Sequence, residues 1–96
     1  MRRAAKIDDN QKEIVEQLRR CGVSVAVTSM MGNGFVDIIV GHDGGNYMIE
    51  IKDGAKTASR RKLTKDEQKW HDKWKGQVAV ADDLDDCLKI IGLIKS

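Results

Sequence analysis

Proline is absent from these 96 residues, aromatic side chains make up only 4% of them, and there are just two cysteines. Without proline, repeats or a linker-like stretch, the chain gives no sign of a domain boundary, so one domain over residues 1–96 is predicted. Cys21 and Cys87 form no CxxC pattern, which disfavours a zinc site and predicts two reduced thiols packed as small hydrophobic groups. No apolar run approaches the length of about 20 residues of a membrane span, and a signal-peptide core is missing. We therefore expect a cytoplasmic protein.

Positive charge is concentrated in one stretch, although the net charge of the chain is only +2. Residues 52–75 contain nine Lys/Arg and four acidic residues, a net charge of +5, whereas the remainder has eight basic and eleven acidic residues, a net charge of −3. Such a stretch suits a polyanion such as nucleic acid. A solvated, lysine-rich helix face is the alternative explanation. The residues expected to contact phosphates are Lys56, Arg60, Arg61, Lys62 and Lys69.

The stretch over residues 34–54, GFVDIIVGHDGGNYMIEIKDG, predicts a β-hairpin. Runs of β-branched residues lie on both sides of the turn residues 41–46. If residues 43–44 form a two-residue type I′ turn, counting back along the hairpin places Asp37 directly opposite Glu50. Opposed residues of an antiparallel pair lie on the same face of the sheet, so the two carboxylates are predicted to meet.

The turn decides whether a lysine joins these carboxylates. Lys52 lies two residues after Glu50 and therefore shares its face. A turn at Gly44-Gly45 also keeps the three charged groups together, whereas a three-residue loop without a bulge would separate them. Opposed carboxylates repel each other unless a cation such as Mg²⁺ or Mn²⁺ binds them, and a lysine beside such an ion suits a phosphate oxygen. These are the parts of a phosphodiester hydrolase; a hairpin with a solvated polar face is the alternative.

The order G-F-V-D followed by I-E-I-K resembles the PD-(D/E)xK nuclease superfamily. With the flanking segments DDNQKEIVEQLRRCG and LTKDEQKWHDKWKGQVAV, the chain looks like the small stand-alone VRR-NUC proteins of bacteriophages. The resemblance implies an α/β fold with a restriction-endonuclease-like αβββαβ core, a small mixed β-sheet flanked by helices. It also implies a homodimeric DNA endonuclease that cuts structured or branched DNA such as Holliday junctions. Val36 stands where the family has a proline, which predicts altered geometry more than lost chemistry.

The resemblance also implies how the site works. Asp37, Glu50 and the backbone carbonyl of Ile51 would hold Mg²⁺ or Mn²⁺. Lys52 would position the attacking water or hydroxide. Related nucleases carry a glutamine on the helix after the hairpin, directed at the active site, and Gln68 matches it; its expected role is to assist catalysis.

The first helix is predicted to begin after Asn10 and to end near Gly22. Asn10 and Glu13 resemble a capping box, and Gln11 falls on the inward-facing side of the helix. Junction-resolving relatives have a glutamate that corresponds to Gln11, so a catalytic role is implied. A glutamine that caps the helix or hydrogen-bonds the sheet is the alternative. The apolar stripe of this helix consists of Ile14, Val15, Leu18 and Cys21.

The second helix is predicted to begin with a capping box, Thr64 to Glu67, and to run to about Lys75. Trp70 and Trp74 lie one turn apart on it and are expected to anchor it to the sheet, with base stacking as the alternative. Before this helix, residues 54–63 are predicted to be an exposed basic loop. The remaining predicted elements are a strand over Val23–Ser29, a strand over Gln77–Ala81, and a last helix capped by Asp82 and Asp83 with the stripe Leu84, Cys87, Leu88 and Ile91.

Two other functions remain open at the level of sequence. A structured-DNA-binding module without catalytic activity is supported by the uncharged Gln11 and the missing proline. A metal-dependent nuclease acting on RNA would use the same residues.

Overall fold

The computed structural model describes residues 8–95, without the side chain of Arg60; the basic lead over residues 1–7 lies outside the described residues. Its α/β class and the order helix, three strands, helix, strand, helix were predicted and are confirmed. Two single 3₁₀ turns, Ser29–Met31 and Ala58–Arg61, lie between these elements. The helices and strands are α1 (Gln11–Arg20), β1 (Ser24–Val27), β2 (Ile38–His42), β3 (Gly45–Ile51), α2 (Lys65–Lys73), β4 (Ala79–Ala81) and α3 (Leu84–Ile90).

The four strands form one small mixed sheet in the order β1-β2-β3-β4. The pairs β1–β2 and β2–β3 are antiparallel, whereas β3 and β4 are parallel. Parallel neighbours need a crossover connection, and α2 lies in it. None of the helices in the described part of the chain is long and apolar enough to cross a membrane.

The hairpin between β2 and β3 has the predicted turn. Asp43 and Gly44 both adopt positive φ angles, 49° and 80°, as a type I′ turn requires. His42 pairs with Gly45, and the register continues to Ile38 opposite Ile49. A turn of only two residues thus determines which side chains meet at the other end of the hairpin.

The two faces of the sheet are packed differently. Ile49 and Ile51 of β3 lie in the hydrophobic core, which α1 and α3 cover. Because side chains alternate along a strand, Met48, Glu50 and Lys52 face the opposite side, where α2 lies. Helix α2 has no buried residue. The polar side of the sheet is therefore covered by a peripheral helix.

The start of α1 differs from the prediction. Asn10 is the N-cap residue but makes no capping hydrogen bond. Its Nδ2 instead donates to the backbone carbonyl oxygens of Lys52 and Asp82, at 3.2 and 3.1 Å. The predicted capping box with Glu13 is wrong because the Asn10 amide joins α1 to the C-terminal ends of β3 and β4.

Three further details differ from the predictions. Cys21 is exposed because α1 ends at Arg20, whereas Cys87 is buried as predicted. Val27 is exposed at the edge strand β1, although its alternating pattern predicted burial. Only Asp83 caps α3, accepting from the Asp86 N–H at 2.9 Å, since the Asp82 carboxylate binds Arg61.

Gly34 allows the segment before β2 to pass closely over the first turn of α2. Its φ angle is +80°, and a Cβ at this position would overlap the backbone carbonyl of Asp66. A glycine is required here on both counts. The close approach brings the start of α2 beside the segment that carries Asp37.

Candidate active site

Asp37 lies immediately before β2, at the point where the β2–β3 ladder ends. Its Oδ2 accepts a hydrogen bond from the Ile51 N–H at 2.8 Å, and its backbone carbonyl accepts from the Thr28 N–H at 2.7 Å. The carboxylate therefore occupies the place that a strand carbonyl would take if the ladder continued. Asp37 is buried, and burial raises its pKa, although the hydrogen bond from Ile51 opposes this.

Glu50, on the α2 side of β3, is only 1% exposed. Its carboxyl lies within hydrogen-bonding reach of the carboxyls of Asp37 and Glu67. Burial, followed by the hydrogen bond with Glu67 and the charge of Asp37, raises the pKa of Glu50 to about 10. At neutral pH Glu50 is therefore the protonated partner of its two neighbours. Its Oε1 is buried and has no hydrogen-bond partner in the described part of the protein.

Lys52 follows β3 directly and is buried beside these acids. Its Nζ lies 2.7 Å from Glu67 Oε1 and 3.8 Å from Glu50 Oε2. Burial lowers the pKa of Lys52, but the hydrogen bond and charge of Glu67 outweigh it and the net shift is upward. The site therefore keeps one permanent positive charge among its carboxyl groups. The predicted convergence of Asp37, Glu50 and Lys52 is present in the structure.

Glu67 is a residue of the site that was predicted only as part of a capping box. The box is confirmed: Thr64 Oγ1 accepts from the Glu67 N–H, and Glu67 Oε1 accepts from the Thr64 N–H at 2.8 Å. The same oxygen also accepts from Lys52 Nζ. Burial raises the pKa of Glu67, but hydrogen bonds from Glu50, Lys52 and Thr64 lower it below its ordinary value.

The helical spacing of Glu67 contained a signal for this position. Glu67 lies three and seven residues before Trp70 and Trp74, which places all three on one side of α2. A capping glutamate on the side of the inward-facing tryptophans points back toward the sheet.

The two glutamines predicted to assist catalysis lie in different environments. Gln11 is buried as expected, with its Nε2 donating to Ser29 Oγ at 3.2 Å and its Oε1 buried without a partner among the described residues. Gln68 is exposed, and its Nε2 donates to Asp72 Oδ1 at 2.9 Å. Gln68 therefore does not face the site, because the adjacent Glu67 takes the inward position on α2.

The predicted phosphate-binding residues fall into two groups. Lys56 and Arg61 form ion pairs, with Asp9 at 3.6 Å and with Asp82 at 3.1 Å. These ion pairs fix part of the segment before α2, which also contains a 3₁₀ turn. The prediction for this segment was an exposed loop. The side chain of Arg60 lies outside the described residues. The exposed members of the set are Lys62 and Lys69.

The donor atoms of the site suit a hard cation only in part. No group of three or more His, Cys, Asp or Glu side chains within residues 8–95 is arranged to hold a metal ion by itself. The unpartnered buried oxygens of Glu50 and Gln11 are, however, the kind of donor that Mg²⁺ prefers. Two carboxylates and a backbone carbonyl would leave the other coordination positions to water.

Comparison with known proteins adds no identification: no family model, no curated protein and no solved structure matches this chain. Any assignment of function therefore depends on the residues and geometry of the site.

Proposed function

We propose that this protein is a metal-dependent DNA endonuclease that hydrolyses phosphodiester bonds with water. The observation that carries the proposal is the burial of both Asp37 and Glu50 at the point where the β2–β3 ladder ends, with Lys52 Nζ 3.8 Å from Glu50 Oε2. Two adjacent buried carboxyls destabilise a fold unless protons or cations compensate them. The element order and the mixed sheet are compatible with the restriction-endonuclease-like core that the resemblance implies, whereas membership of the VRR-NUC family rests on the sequence resemblance alone.

Mg²⁺ or Mn²⁺ is the proposed cofactor, which the oxygen donors of the site suit in part. Asp37, Glu50 and the backbone carbonyl of Ile51 would hold it. The Ile51 N–H already fixes the Asp37 carboxylate next to this peptide group. When bound, such an ion lowers the pKa of a water molecule and offsets negative charge on the scissile phosphate.

Lys52 supplies the positive charge that orients the attacking water or a phosphate oxygen. Glu67 holds the Lys52 ammonium at 2.7 Å, and the Thr64 N–H in turn fixes Glu67. Glu67 is therefore a positioning residue for Lys52. Gln11 assists through its unpartnered Oε1. The exposed Gln68 would have to leave Asp72 to take the catalytic role that the resemblance implies.

The proposed substrate is structured or branched DNA, Holliday junctions included, cut by a homodimer. Both elements come from the family resemblance. A twofold arrangement would place two sites on opposing strands. The exposed Lys62 and Lys69 are available to phosphates, whereas Lys56 and Arg61 would exchange acidic partners for phosphates on binding.

The decisive experiment is cleavage of synthetic four-way junctions, flaps and linear duplexes with Mg²⁺, Mn²⁺ or EDTA. Asp37→Asn, Glu50→Gln and Lys52→Ala should each abolish metal-dependent cleavage. Matched exposed controls carry the same chemical changes elsewhere: Asp43→Asn, Glu16→Gln and Lys89→Ala should cut like the wild type. Equal loss in a site variant and its control would count against the assignment.

A structured-DNA-binding module without activity is the second candidate. The uncharged Gln11 and the engagement of Lys52 by Glu67 favour it. Tight junction binding without cutting in any metal would support it, and Gln11→Glu is then the variant to test for rescue. Matched RNA substrates in the same assay test the remaining alternative, a nuclease acting on RNA.

A further inference from the structure

A concave feature lies at the C-terminal end of α2, between β3, the segment leading into β4, and Ile90 of α3. It is a cavity of about 310 Å³ whose walls include Tyr47 and Met48 of β3, His71 of α2, Trp74 and residues 76–79. Small-molecule sites range from about 300 to 1,000 Å³, so this cavity has the size for a planar ring system and is too small for a duplex. None of these residues belongs to the proposed hydrolytic site.

The main aromatic wall is fixed in orientation but left accessible. The Trp74 ring stacks on Trp70 with a centroid distance of 4.7 Å and an interplanar angle of 18°. Phe35 in turn packs edge-on against Trp70 at 5.1 Å. Gly76 lies so close that a Cβ there would be 3.0 Å from the indole Nε1 of Trp74. Trp74 is nevertheless 41% exposed, so it presents a preorganised aromatic surface to solvent.

The cavity and the carboxyl site share two elements, β3 and α2, and the cavity also extends to β4 and α3. Met48 lies two residues before Glu50 on the same face of β3, a distance of about 7 Å. His71 lies one helical turn after Glu67 on α2, and the charges of Glu67 and Lys52 both act on it. The two features therefore adjoin along β3 and α2, and the separation of about 7 Å between Met48 and Glu50 is short enough for one nucleic acid strand to contact both.

The charges around the cavity select among possible occupants. Lys69, Lys73 and Lys75 are exposed around the C-terminal end of α2, on both sides of Trp74 in sequence. The nearby acid Asp72 already accepts a hydrogen bond from Gln68. An aromatic platform among lysines matches a base attached to a phosphate backbone, whereas an apolar peptide would gain nothing from the lysines.

We propose that this cavity binds an unpaired nucleobase by stacking against Trp74 while the adjoining backbone passes the carboxyl site. The inference rests on the proposed function, because it assumes a nucleic acid substrate. It adds that the substrate has an unpaired nucleotide next to the scissile phosphate.

Binding of two 12-residue strands tests the proposal: oligothymidylate, and a deoxyribose-phosphate strand of the same length that lacks bases. Fluorescence anisotropy in EDTA measures affinity without cleavage. The wild type should bind oligothymidylate more tightly. Trp74→Ala should weaken the binding of oligothymidylate by about 5- to 100-fold, down to the affinity for the base-free strand. The affinity for the base-free strand itself should be the same in Trp74→Ala and in the wild type. Trp74→Phe should retain most of the affinity. Met31→Ala, which truncates an apolar residue that is 60% exposed elsewhere, should change nothing.

Intrinsic tryptophan fluorescence gives a readout that needs no variant. Oligothymidylate should quench the wild-type emission and the base-free strand should not. Equal affinity for the two strands, or equal weakening of both by Trp74→Ala, would overturn the stacking site. Absence of binding to either strand would overturn it as well. Cleavage is measured separately with Mg²⁺. Base-dependent binding without cleavage would refute only the proposed hydrolytic function. Cleavage with binding that does not depend on the bases would refute only the proposed stacking site.

Discussion

Replacing Glu50 by glutamine should stabilise the metal-free protein at pH 8 while abolishing DNA cleavage. Glu50 is almost completely buried, and its pKa is raised from 4.5 to about 10. Glutamine has nearly the same shape and retains a hydrogen-bond donor toward the neighbouring carboxyls, but it cannot ionise. At pH 8 Glu50 can ionise in the unfolded chain but not in the folded protein, which favours unfolding. The substitution removes this ionisation.

The sign of the pH dependence follows from the raised pKa. The unfolded chain releases the Glu50 proton near pH 4.5, whereas the folded protein keeps it to about pH 10. The stabilising contribution of Glu50 is complete below pH 4.5 and is lost as the pH rises toward 10. In this window the free energy of unfolding falls by about 1.4 kcal/mol per pH unit, or about 4 kcal/mol between pH 5 and pH 8.

Urea denaturation in EDTA at pH 5, 6.5 and 8 measures the effect, with Glu16→Gln as the exposed control. The stability of Glu50→Gln relative to the wild type should increase with pH, and the control should follow the wild type. Added Mg²⁺ should stabilise the wild type, since it favours ionised Glu50, and should not stabilise Glu50→Gln. A difference between variant and wild type that is independent of pH would refute the reasoning.

Three other outcomes are expected. Glu67→Gln keeps the capping box, since glutamine also serves at this position, but removes the negative charge beside buried Lys52. The free energy of unfolding should fall by about 3 kcal/mol, because a buried charge loses its partner, and the alkaline limb of the cleavage pH profile should move to lower pH. If the alkaline limb of the pH profile does not move, Glu67 has no role in catalysis through Lys52. Gly34→Ala should cost about 1–3 kcal/mol in urea unfolding because of its positive φ and the overlap with α2; an unaffected midpoint would contradict the close approach. A disulfide reagent should modify exposed Cys21 in the native protein and Cys87 only after unfolding, since burial raises the pKa of the Cys87 thiol to about 12; two fast-reacting thiols would contradict the packing of α3.

The carboxyl pair was predictable because it depends on local information. A type I′ turn at Asp43-Gly44 sets the register of the hairpin, and the register brings Asp37 to Glu50, each six residues from the turn. Both the turn preference and the pairing rule act within one continuous stretch of chain. The same holds for the capping box that begins α2, which involves residues only three positions apart.

The parts that escaped prediction depend on partners far apart in sequence. Glu67 contacts Lys52 across 15 residues, and the Asn10 amide reaches the Asp82 carbonyl across 72 residues. For both Asn10 and Glu67, the local sequence was already explained by a role in capping a helix. Tertiary packing overrode that explanation at Asn10 and added a second role at Glu67.

Several unfavourable features of this fold lie together, and their location is an argument about function. Natural proteins break local rules mainly at functional sites. Here the buried acid pair, the uncapped start of α1, the unpartnered oxygens of Glu50 and Gln11, and the exposed Trp74 all border the α2 side of the sheet or its end. The opposite face has an apolar core made of aliphatic side chains and one thiol. Stability is thus provided by the α1–α3 side, which leaves the residues under α2 free to hold charges and surfaces that only a bound ion or nucleic acid strand would compensate.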